Sequence, residues 1–125
     1  MTVLVGYTRT AEGAAALRHA LAIAELAATD IALFPLFALN GEAWPGSELA
    51  AQLPPQARFL QPRANSPRAA DELVDVGNEL DAQMIVIGVR SRSRVGKMLM
   101  GSDAQAVILG ARVPVLSVKA DENEH

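Results

Sequence analysis

The sequence predicts an α/β fold in which a parallel β-sheet is covered by helices. Three observations lead there. Short apolar, β-branched runs alternate along the chain with Ala- and Leu-rich stretches whose apolar residues recur every three or four positions. Two of those runs, Val3-Leu4-Val5 and Met84-Ile85-Val86-Ile87, are apolar at every position, the pattern of strands buried on both faces. Each is closed by a glycine, Gly6 or Gly88. The order of elements is β-α-β-(short α)-β-α-β-α-β, which calls for right-handed crossovers and for a ligand site beyond the carboxyl ends of the strands.

Each element has its own reason. Met1 to Gly6 is the first strand. Thr10 is placed to cap the helix that follows, with Glu12 near its positive end. That helix, Ala11 to Ala28, is built from the strongest helix formers, and Leu17, Ala20, Leu21, Ala24 and Ala27 make its sheet-facing stripe. Arg18 and His19 fall off the stripe and read as solvated side chains. Ile31 to Leu39 is the second strand; Pro35 removes a ladder donor, so the strand either bulges there or pairs on one side only. Asn40 to Pro55 holds two glycines and three prolines, and leaves room for one short helix, Ser47 to Leu53, rather than a full crossover helix. Its lone Trp44 reads as a lid over the core edge or an interface residue, ahead of a base-stacking platform.

Ala57 to Gln61 is a short third strand. Ser66 as N-cap, Pro67 at the first helical position and the acids Asp71 and Glu72 open the next helix, with Leu73, Val76, Leu80 and Ala69 on its buried face. Met84 to Gly88 is a central strand. Gly101-Ser102 opens a helix to about Leu109, and Val113 to Val118 closes the sheet, with Pro114 where a missing N–H does least harm. Residues 1–120 read as one domain and Asp121 to His125 as an acidic tail.

Composition narrows the function. The 125 residues contain no cysteine, which excludes disulfides, cysteine-ligated metal sites and thiol nucleophiles. The two histidines, His19 and His125, stand far apart and offer no metal-binding spacing. A net charge of −3 gives no general attraction to nucleic acid or anionic membrane. No apolar run reaches the ~20 residues that a membrane span needs, and no basic leader precedes Val3. The expectation is a soluble, cytoplasmic protein.

One segment carries chemistry. After the fourth strand the chain reads Gly88-Val89-Arg90-Ser91-Arg92-Ser93-Arg94-Val95-Gly96-Lys97-Met98-Leu99-Met100-Gly101-Ser102-Asp103. Gly88 lets the backbone approach a ligand closely. Arg90, Arg92, Arg94 and Lys97 concentrate positive charge in an otherwise acidic protein. Gly101-Ser102, at a helix start, offers free N–H groups, a hydroxyl and the positive end of the macrodipole. Together they suit a polyphosphate, although an arginine loop of this kind can equally be a solvated one.

The spacing of Gly88, Gly101 and Ser102, with Pro114-Val115-Leu116-Ser117-Val118 behind them, resembles the universal stress protein family. The family signature is a glycine, two residues, a glycine, nine residues, then glycine and Ser or Thr. Gly88 and Gly101-Ser102 match it in register, and Ser91 replaces the second glycine. The opening Val3 to Tyr7 strand and the Thr10 cap also fit, while the middle of the chain is shorter than the usual crossover.

The resemblance implies a Rossmann-like, five-stranded parallel sheet in the order 3-2-1-4-5 with helices on both faces, and a homodimer formed through the closing strand, Val113 to Val118. It implies ATP, with Mg²⁺, as ligand. Tyr7 and Thr8 would lie beside the nucleotide at the end of the first strand. Leu36 to Ala38, Phe37 among them, would line the adenine. Gly88, Val89, Arg90, Ser91 and Arg92 would face ribose and phosphates, and Gly101, Ser102 and Asp103 would hold the triphosphate. Thr8 stands where nucleotide-binding members carry an acid; it can hydrogen-bond but cannot anchor a metal as a carboxylate does.

Four readings follow. The first is a nucleotide-binding regulatory protein of the universal stress type, without strong catalysis of its own. The second is a nucleotide-free dimeric interaction module of the same fold, favoured by Thr8, Ser91 and the short middle. A weak ATP hydrolase comes third: only Asp103 stands near as a carboxylate, and its plainer role is to complement the helix dipole. Nucleic-acid binding comes last, for want of interleaved aromatics and of a basic face elsewhere.

Overall fold

A computed structural model of the chain describes residues 1–63, 68–90 and 101–120. Its elements are β1 (Thr2–Tyr7), α1 (Ala11–Ala27), β2 (Asp30–Pro35), α2 (Ser47–Ala51), β3 (Arg58–Phe59), α3 (Ala69–Glu79), β4 (Met84–Val89), α4 (Ser102–Gly110) and β5 (Val115–Lys119). The strands form one parallel sheet in the order β3-β2-β1-β4-β5. β1 is central, with Val3 opposite Ile31 on one side and Val5 opposite Val86 on the other. Strand order reverses between β1 and β4, so the switch point lies beyond Tyr7 and Val89.

Alternation along the strands separates two cores. Val3, Val5, Ile31, Leu33, Val86 and Val118 face α1, whose Ala16, Leu17, Ala20 and Ala24 seal them. Leu4, Ala32, Phe34, Ile85, Ile87 and Val89 face α3 and α4, meeting Ala70, Leu73, Val74 and Val107. Small alanines on α1 let that helix lie close to the sheet. Thr10 caps it: its Oγ1 accepts from the Gly13 N–H at 3.0 Å, in an extended backbone conformation. Of the expected α1 stripe, Leu17, Ala20 and Ala24 are buried, Leu21 is half-buried and Ala27 is exposed. Ala27 closes the last turn, where the chain leaves the helix through a left-handed Ala28. Arg18 and His19 lie on the exposed side, His19 Nδ1 meeting the Ala15 carbonyl at 2.9 Å.

Pro35 resolves the choice left open for the second strand. It ends β2, paired only on the β1 side, opposite Tyr7, while β3 meets β2 no further than Leu33. The ladder tolerates the missing N–H there, and residues 36–39 leave the strand. Between β2 and β3 a single five-residue helix, α2, replaces a full crossover. Trp44 takes over the covering role: it is buried, and its ring lies 5.8 Å from Phe37, 5.9 Å from Phe59 and 6.1 Å from Tyr7. Its Nε1 donates to the Leu60 carbonyl at 2.9 Å, which satisfies the buried indole.

Two expectations are corrected. α3 begins at Ala69 with Arg68 at its N-cap; the expected cap, Ser66-Pro67, lies outside the described residues. The buried residues of α3 are Ala70, Glu72, Leu73, Val74 and Gly77; of the expected line Leu73 is buried, Ala69 and Val76 are half-buried against the core, and Leu80 is exposed. The rotation brings Gly77 against Ile85, where an added Cβ would stand 2.6 Å from Ile85 Cδ1, and it turns Leu80 outward.

Candidate functional site

At the carboxyl edge of the sheet the described residues enclose a cleft of about 690 Å³, within the ~300–1,000 Å³ of small-molecule sites. One wall is the chain that leaves β2, Leu36 to Leu39. The opposite wall is made by Gln61, Pro62, Arg63, Ala69 and Glu72, and Asp103 in the first turn of α4 stands at one end. Two of the expected site residues, Phe37 and Asp103, are thus brought to one space. Gly101 and Ser102 adjoin Asp103 at the α4 N-terminus. Gly101 is the N-cap, with φ −64° and no side-chain cap, and an added Cβ there would meet nothing within 4 Å among the described residues. The first-turn N–H groups of α4 have no partner within the helix itself, which leaves them available to an anion.

The other expected residues have different neighbours. Tyr7 belongs to the Trp44 cluster and lines a separate cleft of about 420 Å³ with Arg9, Glu48 and Gln52. Thr8 is turned to the start of α1: its Oγ1 is 2.7 Å from Thr10 Oγ1, and its carbonyl presses on Gly13, where a Cβ would stand 2.0 Å away. Val89 points into the α3–α4 core. Arg90 pairs with Glu12 at 3.7 Å. Phe37 carries the Arg9 guanidinium 4.5 Å over its ring, and Arg9 also pairs with Glu42. Ser91 and Arg92, like Arg94 and Lys97, lie outside the described residues.

Gly88 has a packing role as well. The space beside its Cα is filled by α1, where a Cβ would come within 2.3 Å of the Glu12 carbonyl oxygen and 2.9 Å of Gly13 N. The close approach at the Gly88 Cα is that of α1. Gly13 and Gly88 together let the first turn of α1 lie on the switch point.

The sequence reading missed the part played by Glu72. It ranked this residue as a first-turn acid, yet the side chain is 3% exposed. Its Oε2 accepts from the Arg63 backbone N–H at 2.7 Å, and its Oε1 is buried with no hydrogen-bond partner among the described residues. A signal was present: position 72 is three residues after Ala69 and four before Val76, on the expected apolar face. The 61–63 segment is held in turn by Arg63 Nη2, 3.1 Å from both carboxylate oxygens of Glu79. That hydrogen bond and the charge of Glu79 keep the guanidinium above its ordinary range. At the other end of the cleft Arg68 and Asp103 pair at 3.6 Å, both about half-exposed. Among the described residues no group of three or more His, Asp or Glu side chains could hold a metal ion, and no helix is long and apolar enough to cross a membrane.

A doubly wound parallel sheet with a cleft beyond the strand ends defines an α/β domain of the architecture in which ligands sit at that edge. The family model of the universal stress proteins matches residues 48–119. A universal stress protein of Mycolicibacterium smegmatis is 33% identical over 94% of this chain and 96% of its own. The chain belongs to the universal stress protein family. Among solved structures, the universal stress protein from Archaeoglobus fulgidus is 28% identical, with 94% of this chain and 97% of that one covered and a TM-score of 0.61. A structure of the universal stress protein from the same organism in complex with dAMP is 25% identical, covers 94% and 96%, and has a TM-score of 0.55.

Proposed function

We propose that this chain is a regulatory universal stress protein that binds an adenine nucleotide, ATP with its Mg²⁺, in the cleft between the end of β2 and the start of α4. The observation that carries the reading is that one cavity joins the Leu36–Leu39 wall to the first turn of α4. The base would lie along Leu36 to Ala38, and the phosphates would lie on the N–H groups at Gly101 to Asp103, where the helix dipole favours negative charge. Gly88 and Val89 end β4 at the same edge, and Arg92, Arg94 and Lys97 add positive charge by sequence position. The related structure holding dAMP supports the choice of ligand class. The metal would arrive with the nucleotide, since Thr8 supplies no carboxylate. The closing strand β5 pairs with β4 alone, and its free edge supports a homodimer.

Thermal denaturation with and without ATP-Mg tests the reading. Saturating nucleotide at about 100 times Kd should stabilise the fold by about 2.7 kcal/mol. Gly101→Ser, whose Cβ meets no atom of the described residues within 4 Å and which puts a good capping residue at the N-cap, should leave the nucleotide-free protein at least as stable and weaken the ligand's effect. Absence of any shift with ATP-Mg, ADP or AMP would sink the proposal.

The committed side chain of Thr8 favours one second reading, a nucleotide-free dimeric module, in which the cleft is not a nucleotide site. It requires that dimerisation and partner binding ignore added nucleotide.

A further inference from the structure

We infer that the amino-terminal edge of the sheet holds a second ligand site, for a small organic cation: an ammonium group on an aliphatic stem. A cavity of about 610 Å³ opens there, at the other edge of the sheet from the nucleotide cleft and within the ~300–1,000 Å³ of small-molecule sites. It lies between the last turns of α1, the start of β2 and the loop before β3. The short crossover makes the room. The connection from β2 to β3 carries only the five-residue α2, so the loop residues Pro54 and Gln56, rather than a helix, face α1 at this end.

The walls decide what fits. Leu21, Ala24, Ile31 and Pro54 give an apolar surface on which an aliphatic stem is favourably dehydrated. The charged residues that line the cavity are both acids, Glu25 and Asp30, exposed and without an ion pair among the described residues. The backbone adds to their field. The 17-residue α1 ends here with no basic residue in its last turn. A helix C-terminus carries roughly half a negative charge and favours a cation, so Glu25 stands against the dipole rather than with it. The chain then turns through the left-handed Ala28 straight into β2, which brings Asp30 onto the same cavity. Two carboxylates and a helix end of the same sign repel one another, and no cation lining the cavity offsets them. An ammonium drawn in from solution would do so. The apolar walls favour an organic cation over a metal ion, in keeping with the lack of any metal-holding group of His, Asp and Glu among the described residues.

Titration of the whole chain with n-hexylamine at neutral pH, followed through the backbone amide resonances, tests this directly. The probe is charged there, and n-hexanol is the neutral control of the same length. Hexylammonium should shift the amides of Leu21 to Ile31 and of Gln56, and should bind at least about tenfold more tightly than hexanol, the gain expected of a charge-assisted contact. The double variant Glu25→Gln, Asp30→Asn should bring the two probes to within about threefold of each other. Because it takes an acid from a helix C-terminus, it should melt no lower than the parent. Equal binding of amine and alcohol by the unaltered protein would overturn the inference. So would shifts confined to the carboxyl-edge cleft, or a preference for the amine that survives in the double variant. No shift at about 10 mM probe, where a site with a Kd of about 1 mM is mostly filled, would overturn it as well. If the double variant does not fold, the comparison of amine and alcohol on the unaltered chain still decides.

Discussion

Replacing Gly88 by Ala should destabilise the protein strongly even though no ligand is present. The added methyl would stand 2.3 Å from the Glu12 carbonyl oxygen, 2.4 Å from the Glu12 carbonyl carbon and 2.9 Å from Gly13 N, all below the 3.0 Å that Cβ contacts essentially never undercut. The obstructing atoms are helix backbone, so no side chain can swing aside. Relief requires α1 to move outward, and α1 carries Ala15, Ala16, Leu17 and Ala20 of the core with it. Overpacking of this kind costs ~1–3 kcal/mol, and a rigid obstacle puts the expected loss near the upper end, about 2–3 kcal/mol. For a domain of this size about 4 °C of melting temperature corresponds to 1 kcal/mol, so the drop should be about 8–12 °C. Circular dichroism followed through heat and urea unfolding gives the number. Gly101→Ala is the internal comparison, with no atom of the described residues within 4 Å of the new methyl, an ordinary φ of −64° and an expected cost below about 1 kcal/mol. A Gly88→Ala protein within about 4 °C of the parent would refute the assignment of Gly88 to helix packing.

Two further outcomes are expected. Thr10→Ala removes the acceptor of the Gly13 N–H and should cost about 1 kcal/mol, seen as a lower urea midpoint at unchanged slope. Leu116→Arg places a charge on the half-buried face of β5, next to its free edge, and should convert the proposed dimer to monomer by light scattering; a dimer of unchanged affinity would exclude β5 as the contact.

The fold was legible because both periodicities are strong. Val3 to Val5 and Met84 to Ile87 can be buried on both faces only in a covered sheet, and the Ala-rich run from Ala11 can be only a closely packed helix. Boundaries were less so. β2 stops at Pro35 rather than at Leu39 because pairing ends where the ladder loses a donor, which a local apolar run does not reveal. α3 is rotated from the expected face because Gly77 is the residue that fits against Ile85, a tertiary fact with no local trace. The cleft was half legible. Phe37 and Asp103 meet there, whereas Tyr7 and Thr8 are held by Trp44 and Thr10, partners that sequence order did not suggest.

The motif glycines show why a spacing pattern alone misassigns roles. Gly88 and Gly101 belong to one pattern, yet the fold asks for glycine only at the first. At 88 the backbone of α1 excludes any side chain. At 101 the described residues pose no steric obstacle, φ is not positive, and Ser or Asp would cap α4 better than glycine does. A residue that costs the helix a cap and returns nothing to packing is explained by something that must come close from outside. A phosphate settling on first-turn N–H groups is such a visitor, which is in keeping with the nucleotide proposed for this cleft.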